Sequence, residues 1–390
     1  MNDVYARLAP RMKDIAAFHV MAVLARAQEI EATGRTVIHM EIGEPDFPTP
    51  EPVWRAAQTA IEGGQMFYTA ALGLPQLRAA IAGHYRTRYG VDVSPERIVV
   101  TSGSSGALLL AIAILVGRDD EVLLADPGYP ANRHFVRMME GTPVGIPVGA
   151  DTGYQLTADL IAAHWSARTA AALVATPSNP TGTLIPDDEL GAMARVVTAR
   201  GGALLVDEIY HGLVYGDHPR TALSLDGNVF VINSFSKYFN MTGWRLGWLV
   251  APESSLDALN RLSQNVYLSA PTPSQHAALA AFTPETTAIL EERRREFQRR
   301  RDYLVPALRD LGFVVPQEPG GAFYVYADCS AFTDDSFRFA MNLLEEAGVA
   351  ITPGIDFGDH LPQRHVRFAY TRPVEQLAEG VARIARFVGR

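Results

Sequence analysis

From about residue 50 to residue 280, short unbroken apolar runs alternate with helical segments, and nothing else in the chain constrains its fold as strongly. The runs are Ile98–Thr101, Val122–Asp126, Ala170–Thr176, Ala203–Asp207, Val229–Ser234 and Gly247–Val250. A strand with one wet face alternates apolar and polar residues, whereas a continuous run has both faces covered. Strands of this kind alternating with helices give an α/β fold with a largely parallel sheet. In such sheets ligands gather beyond the carboxyl ends of the strands. The residues just after each run are therefore where chemistry is to be sought.

The flanking segments read differently. Residues 12–33 keep helical spacing through Val20, Val23, Leu24, Ala27 and Ile30, with Gly34 as a stop. A short strand, Val37–Met40, leads into a stretch from Gly43 to Pro50 with three prolines, which forbids regular structure and suits a crossing between domains. Residues 284–311 predict a long helix with a kink at Pro306. Strands are expected at Phe313–Val315, Ala322–Tyr326, Val349–Thr352 and Val366–Tyr370, and helices at about 335–347 and 373–388. This second, smaller α+β unit is expected to pack with the N-terminal helix. The predicted division is a large domain at 49–283 and a small domain formed by 1–48 with 284–390.

Composition narrows the function classes. The chain has 390 residues, 48% apolar and 20% charged, enough for a large core in two domains. A net charge of −9 argues against a general nucleic-acid surface. Cys329 is the single cysteine, so no intrachain disulfide can form, which fits a reducing compartment. No apolar run approaches a membrane span, and Met1–Tyr5 shows no basic start of a signal peptide. The expected location is the cytoplasm. No metal-ligand cluster is predicted.

Ser234-Phe235-Ser236-Lys237 follows the run Val229–Ile232, and Arg245 comes eight residues after the lysine. A lysine at the mouth of an α/β sheet, ringed by hydroxyls and an arginine, can hold a phosphate-bearing aldehyde cofactor, pyridoxal 5′-phosphate (PLP), through a Schiff base. Asp207 ends another run. It fits a helix cap or a structural ion pair, and equally a carboxylate that faces a pyridinium nitrogen. Tyr210, three residues on, is placed to bond the ring hydroxyl. Ser178–Thr183 has the composition of a turn, yet the Asn179 amide can donate to the same ring oxygen. Thr101–Gly106 joins a strand to a helix start through a Gly/Ser turn, an anion cradle. It is neither a Walker loop nor a three-glycine dinucleotide fingerprint. Lone lysines are usually solvated, but here four strand ends carry complementary groups.

These segments resemble the class I/II aminotransferases, the fold-type I PLP enzymes. The resemblance runs through Ile42–Phe47, Tyr68-Thr69, Gly73–Arg78, the Ser-Gly-Ser-Ser turn, Pro127–Pro130, Ser178–Gly182, Asp207–Tyr210, the Ser-x-Ser-Lys segment with Arg245, and His365–Phe368. It implies a mostly parallel, mixed seven-stranded sheet between helices. Lys237 is then the Schiff-base lysine and proton shuttle, and Asp207 the partner of the pyridine nitrogen. Asn179 and Tyr210 hold the ring oxygen, and Tyr129 stacks on the ring. Ser104, Ser105, Ser234 and Arg245 hold the phosphate. Arg367 clamps the substrate α-carboxylate with its planar fork, and the backbone at Gly43 closes over it. Tyr68 reaches the phosphate of the neighbouring subunit, so a homodimer with shared sites is implied.

Plainer roles remain open for several of these. Tyr68 and Tyr129 also fit ordinary half-buried aromatics, and Arg367 the polar face of an alternating strand. Glu208 and His211 are expected to point away from the site. The arginines at 293–295 and 299–301, interleaved with acids, predict a solvated, ion-paired helix face. The implied activity is ping-pong transfer of an amino group between an L-amino acid and a 2-oxo acid. The donor is not specified; Phe18, His19, Val20 and Tyr324 are candidates to line its side chain. Dicarboxylate-specific relatives often use a second arginine from the partner subunit, and Ser263–Gln275, where it is sought, has none, which argues against a strong preference for aspartate unless another cation substitutes. Two alternatives share the cofactor residues or the fold: a PLP-dependent C–S or β-lyase, and a non-catalytic PLP-binding regulator, which should carry a DNA-binding domain that the residues before Gly43 leave no room for.

Overall fold

The computed structural model describes residues 8–217, 219–225 and 227–390, so the reading of Met1–Tyr5 lies outside the described residues. Its centre is a seven-stranded sheet in the order Ile98–Thr101, Gly247–Val250, Val229–Ser234, Ala203–Asp207, Thr169–Ala175, Glu121–Asp126, Thr142–Pro147. All neighbours pair in parallel except Gly247–Val250, which runs antiparallel to both its neighbours. Residues of alternate strand faces fall into two apolar clusters, one on each side of the sheet, as expected of runs covered on both faces.

The edge strand Thr142–Pro147 is not evident in the sequence. Its Thr-Pro-Val-Gly-Ile-Pro composition breaks the apolar pattern, and proline is tolerated in a sheet only where a ladder bond is dispensable. The five other parallel strands end at Thr101, Asp126, Ala175, Asp207 and Ser234 on one edge, where Gly247 begins the antiparallel strand. Six chain segments therefore enter one crevice.

Both chain ends meet in a second layer. Ile38–His39 pairs in parallel with Val349–Ala350. Val23, Ala27 and Ile30 of the helix His19–Ala32 bury against Val37, Leu344 and Ala350. An antiparallel sheet, Thr352–Pro353, His365–Ala369 and Tyr324–Asp328, carries Arg367 opposite both Thr352 and Tyr326.

Several expectations need correction here. The helix predicted over 12–33 is broken: a 3₁₀ turn spans Pro10–Asp14, and the α-helix starts only at His19. No side chain of its own caps that start. Asp356, far along the chain, does so. Phe313–Val315 forms a single bridge, Val314 to Asp328, and not a strand. The helix Pro284–Leu311 has the expected bounds, with Pro306 inside it. Its arginines form the expected solvated face only in part: Arg295 and Arg299 are exposed, and Arg299 pairs with Glu296. Arg300 is buried between Asp46 and Glu296 and lies against Phe47 and Phe297, while Arg293 donates to Pro48 O and Asn240 Oδ1. These guanidinia hold the proline-rich stretch, because their flat faces stack on rings while their edges satisfy backbone carbonyls.

Candidate active site

A cavity of about 410 Å³ opens where the six segments meet, roofed by the second layer. Its wall includes Gly43, Ser104, Ser105, Tyr129, Asn179, Asp207, Tyr210, Lys237, Arg245 and Arg367. Sequence reasoning named all ten.

Asp207 is buried at its strand end and accepts one hydrogen bond, from the Ile209 N–H at 3.0 Å. Burial pushes its pKa up from the usual 3.8 to about 7, against the opposing pull of the Ile209 N–H and of Lys237. A carboxylate placed like this calls for a cationic partner. Lys237 is also affected by burial, which pushes it down to about 8, with Arg367 and Arg245 adding to the shift and Glu44 and Asp207 opposing it. Its Nζ donates to Gly43 O at 2.6 Å.

At the other end of the sheet edge the helix Gly103–Leu115 has no side-chain cap, and Ser104 and Ser105 of its first turn line the cavity. Gly103 has φ +72°, and a Cβ there would lie 2.8 Å from Arg245 Nη2. A Cβ on Gly247 would lie 2.7 Å from the backbone of Gly103 and Ser104. The two glycines thus let a helix start, a strand and a guanidinium close on one point, which is a cradle for a dianionic phosphate.

Arg367 is 5% exposed, not on a polar face. Its Nη1 donates to Asn179 Oδ1 at 2.8 Å and its Nη2 to Glu41 O and to Thr352 Oγ1 at 3.1 Å. Its Nε is buried with no hydrogen-bond partner. An unpaired donor of this kind suits a carboxylate brought by a ligand. Because Asn179 Oδ1 is taken by Arg367, the asparagine amide N–H groups are left for the cavity. Tyr210 and Tyr324 share a hydrogen bond of 2.8 Å, and the Tyr324 ring lies 4.3 Å from the Arg367 guanidinium carbon. Tyr324 thus sits between Arg367 and Tyr210.

Three placements differ from expectation or extend it. Ser234 is fully buried and its hydroxyl is spent on the turn, within reach of Ser236 Oγ at 3.0 Å and Leu246 O at 3.2 Å. The hydroxyl on the cavity wall is that of Ser236. Tyr68 lies outside the cavity of its own chain and is 81% exposed. Thr352, Asp356 and Phe357 line the cavity without having been singled out; they follow no strand of the main sheet, and only their nearness to Val349–Thr352 in sequence hints at them. Glu208 points away, bonded to Thr221 and the Ala222 N–H.

The cavity therefore offers a buried carboxylate, an amine, an anion cradle and a guanidinium fork, the set that PLP and an amino acid require. Residues 35–384 match the family described as aminotransferase class I and II. The chain belongs to this family. It is an aminotransferase, and class I and II aminotransferases depend on PLP. A valine–pyruvate aminotransferase of Mycobacterium tuberculosis is 41% identical, with 95% of this chain and 96% of the relative aligned. A (5-formylfuran-3-yl)methyl phosphate transaminase of Methanocaldococcus jannaschii is 36% identical over 98% of this chain and 100% of that protein. The crystal structure of an aminotransferase from M. tuberculosis superposes with a TM-score of 0.95 at 40% identity, covering 99% of this chain and all of that one. Among the described residues no helix is long and apolar enough to cross a membrane, and no cluster of His, Cys, Asp or Glu could hold a metal ion.

Proposed function

We propose that the enzyme moves the amino group of an L-amino acid with an apolar side chain to a small 2-oxo acid such as pyruvate, by a ping-pong scheme in this one cavity. The observation that carries this reading is the orphaned Nε of Arg367 in the same hollow as Lys237 and Asp207. When bound, PLP supplies an electron sink for the charge left at the substrate Cα. Asp207 keeps the pyridine nitrogen protonated, Asn179 and Tyr210 donate to the ring oxygen, and Tyr129 packs against the ring face. Ser104, Ser105, Ser236, the helix start and Arg245 hold the phosphate, with Ser234 shaping the turn that presents them.

Lys237 carries the proton. Burial holds its amine below the ordinary lysine value, which favours the neutral form that takes the Cα proton as a general base. Arg367 fixes the α-carboxylate, and the backbone of Gly43 lies over it. A single carboxylate clamp must serve donor and acceptor in turn, which is why the oxo-acid product leaves before the second substrate enters. The apolar preference rests on Phe18, Val20 and Phe357 in the wall, and on the name of the 41% identical relative. Among the described residues, Lys237, Arg245 and Arg367 are the cations that line this cavity, and each already has a task.

We further propose two domains, 49–283 and 1–48 with 284–390, and a homodimer acting in the cytoplasm. Phe67 and Tyr68 form an aromatic pair 82% and 81% exposed, suited to completing the phosphate site of a second copy. Mixing the PLP-loaded enzyme with single donors tests the reading. One 2-oxo acid per site, without ammonia, is expected from valine and its apolar analogues. Continuous ammonia release without an acceptor would make it a lyase.

A further inference from the structure

We propose that Asp356 sets the donor specificity of this site by pinning Phe18–Val20 as the apolar wall of the side-chain pocket. The inference rests on the aminotransferase reading above and adds the residue that enforces it. Asp356 is 5% exposed, and its two carboxylate oxygens accept the backbone N–H groups of His19 at 2.6 Å and Val20 at 2.8 Å. These are the first N–H groups of a fourteen-residue helix that has no cap of its own. The body of that helix is anchored elsewhere, through Val23, Ala27 and Ile30. Its first turn is capped by this carboxylate, while Phe18 packs against Tyr129 and His134 and His19 against Phe337.

What Asp356 holds is the substrate end of the cavity. Phe18 lies with its ring centroid 6.4 Å from that of Tyr129 and 6.5 Å from that of His134, and both Phe18 and Val20 line the wall. Asp356 comes four residues after Thr352, whose hydroxyl bonds Arg367, so one short segment places both the carboxylate clamp and the side-chain wall. The group also acts by charge. Asp356 and Glu44 are the acids on the substrate side of this wall. An acidic donor, held at its α-carboxylate by Arg367, would meet like charge in a partly desolvated pocket.

The test is the donor panel run on the PLP-loaded wild type and on Asp356→Asn. An amide can accept only one of the two N–H groups and turns its own NH₂ on the other. Amide hydrogen exchange at His19 and Val20 should quicken by at least about tenfold, and the kcat/KM ratio of valine to aspartate should fall by at least about tenfold, mostly through a higher KM for valine. A merely structural Asp356 would lower the thermal midpoint and scale every donor alike; an unmoved ratio overturns the inference and leaves the proposed function standing. A wild type that prefers aspartate overturns both. Should Asp356→Asn not fold, Phe18→Ala decides, because Phe18 lies outside any helix. It should raise phenylalanine relative to valine by about tenfold, and an unchanged ratio there overturns the inference.

Discussion

The two ends of the cavity are built in different ways. The end proposed to hold the cofactor consists of groups at the ends of adjacent strands, each within a few residues of a buried apolar run: Ser104, Tyr129, Asn179, Asp207, Lys237 and Arg245. The sheet fixes their spacing, and the crevice follows from strand polarity alone. The substrate end is assembled from segments more than 300 residues apart, such as Val20 with Asp356 and Glu41 with Arg367. Its geometry depends on a handful of side-chain bonds to irregular backbone. One end has a rigid lattice behind it, whereas the other can be altered one hydrogen bond at a time. Substitutions at the first should therefore abolish chemistry, and those at the second should redistribute binding.

The largest effect belongs to Lys237. Lys237→Ala should lower kcat by at least about 10⁴-fold, since its amine is the group proposed to carry the proton; steady-state rates with any donor check this. Asp207→Asn comes next. Losing the charge opposite the pyridine nitrogen should cost about 10²- to 10³-fold in kcat, with a smaller change in KM. The same change has a second signature in the chain freed of cofactor. Over pH 4 to 7 folded Asp207 keeps a proton that the unfolded chain has released, so its contribution destabilises the fold progressively as pH rises. Asp207→Asn should remove that slope and stabilise the cofactor-free protein above pH 7 by up to about 4 kcal/mol. Lys237 has the opposite sign: between pH 8 and 10.5 the unfolded chain holds the extra proton, and stability rises with pH. Denaturation curves across pH 4 to 10 separate the two.

The same contrast governs what could be read from the amino acids. Strand ends were legible because continuous apolar runs locate them and the residue after each run is then fixed. The contact of Asn179 with Arg367 was not legible, because the two residues lie far apart in the chain and only the fold brings them together. The edge strand Thr142–Pro147 was missed because its prolines and glycine erase the periodicity. The start of the helix at His19 was placed too early because its cap is supplied by Asp356, and no local pattern encodes a partner 337 positions away. The arginines of Pro284–Leu311 look like any charged helix face until Phe47 and Asp46 are known to lie against them. Ser234 and Ser236 differ only in which hydroxyl the turn consumes.

Arg367→Lys sharpens the comparison at the substrate end. A lysine brings one point charge where three acceptors and the incoming carboxylate require a fork. About 10²-fold in kcat/KM should be lost, equivalent to one or two charged hydrogen bonds. Because donor and acceptor use the same clamp, the KM of both should rise together. A loss confined to the donor would mean that the acceptor carboxylate binds elsewhere and that the single-clamp argument for a ping-pong scheme fails.

Tyr324→Phe tests whether the two ends are separate at all. Tyr324 touches both: its hydroxyl bonds Tyr210, and its ring lies beneath Arg367, with the hydroxyl so close over Gly43 that a Cβ there would stand 2.0 Å from it. Removing the hydroxyl keeps the ring under the guanidinium and deletes one neutral hydrogen bond, worth about 1 kcal/mol. The expected result is a fall of about fivefold in kcat, with KM for the carboxylate substrates unchanged, because Tyr210 still reaches the ring oxygen and Arg367 still has its three acceptors. A loss approaching that of Asp207→Asn would place Tyr324 in the proton path with Lys237. A rise in KM alone would assign it to the clamp. Either outcome would move the boundary between the ends, since Tyr324 comes from Tyr324–Asp328 and not from the main sheet.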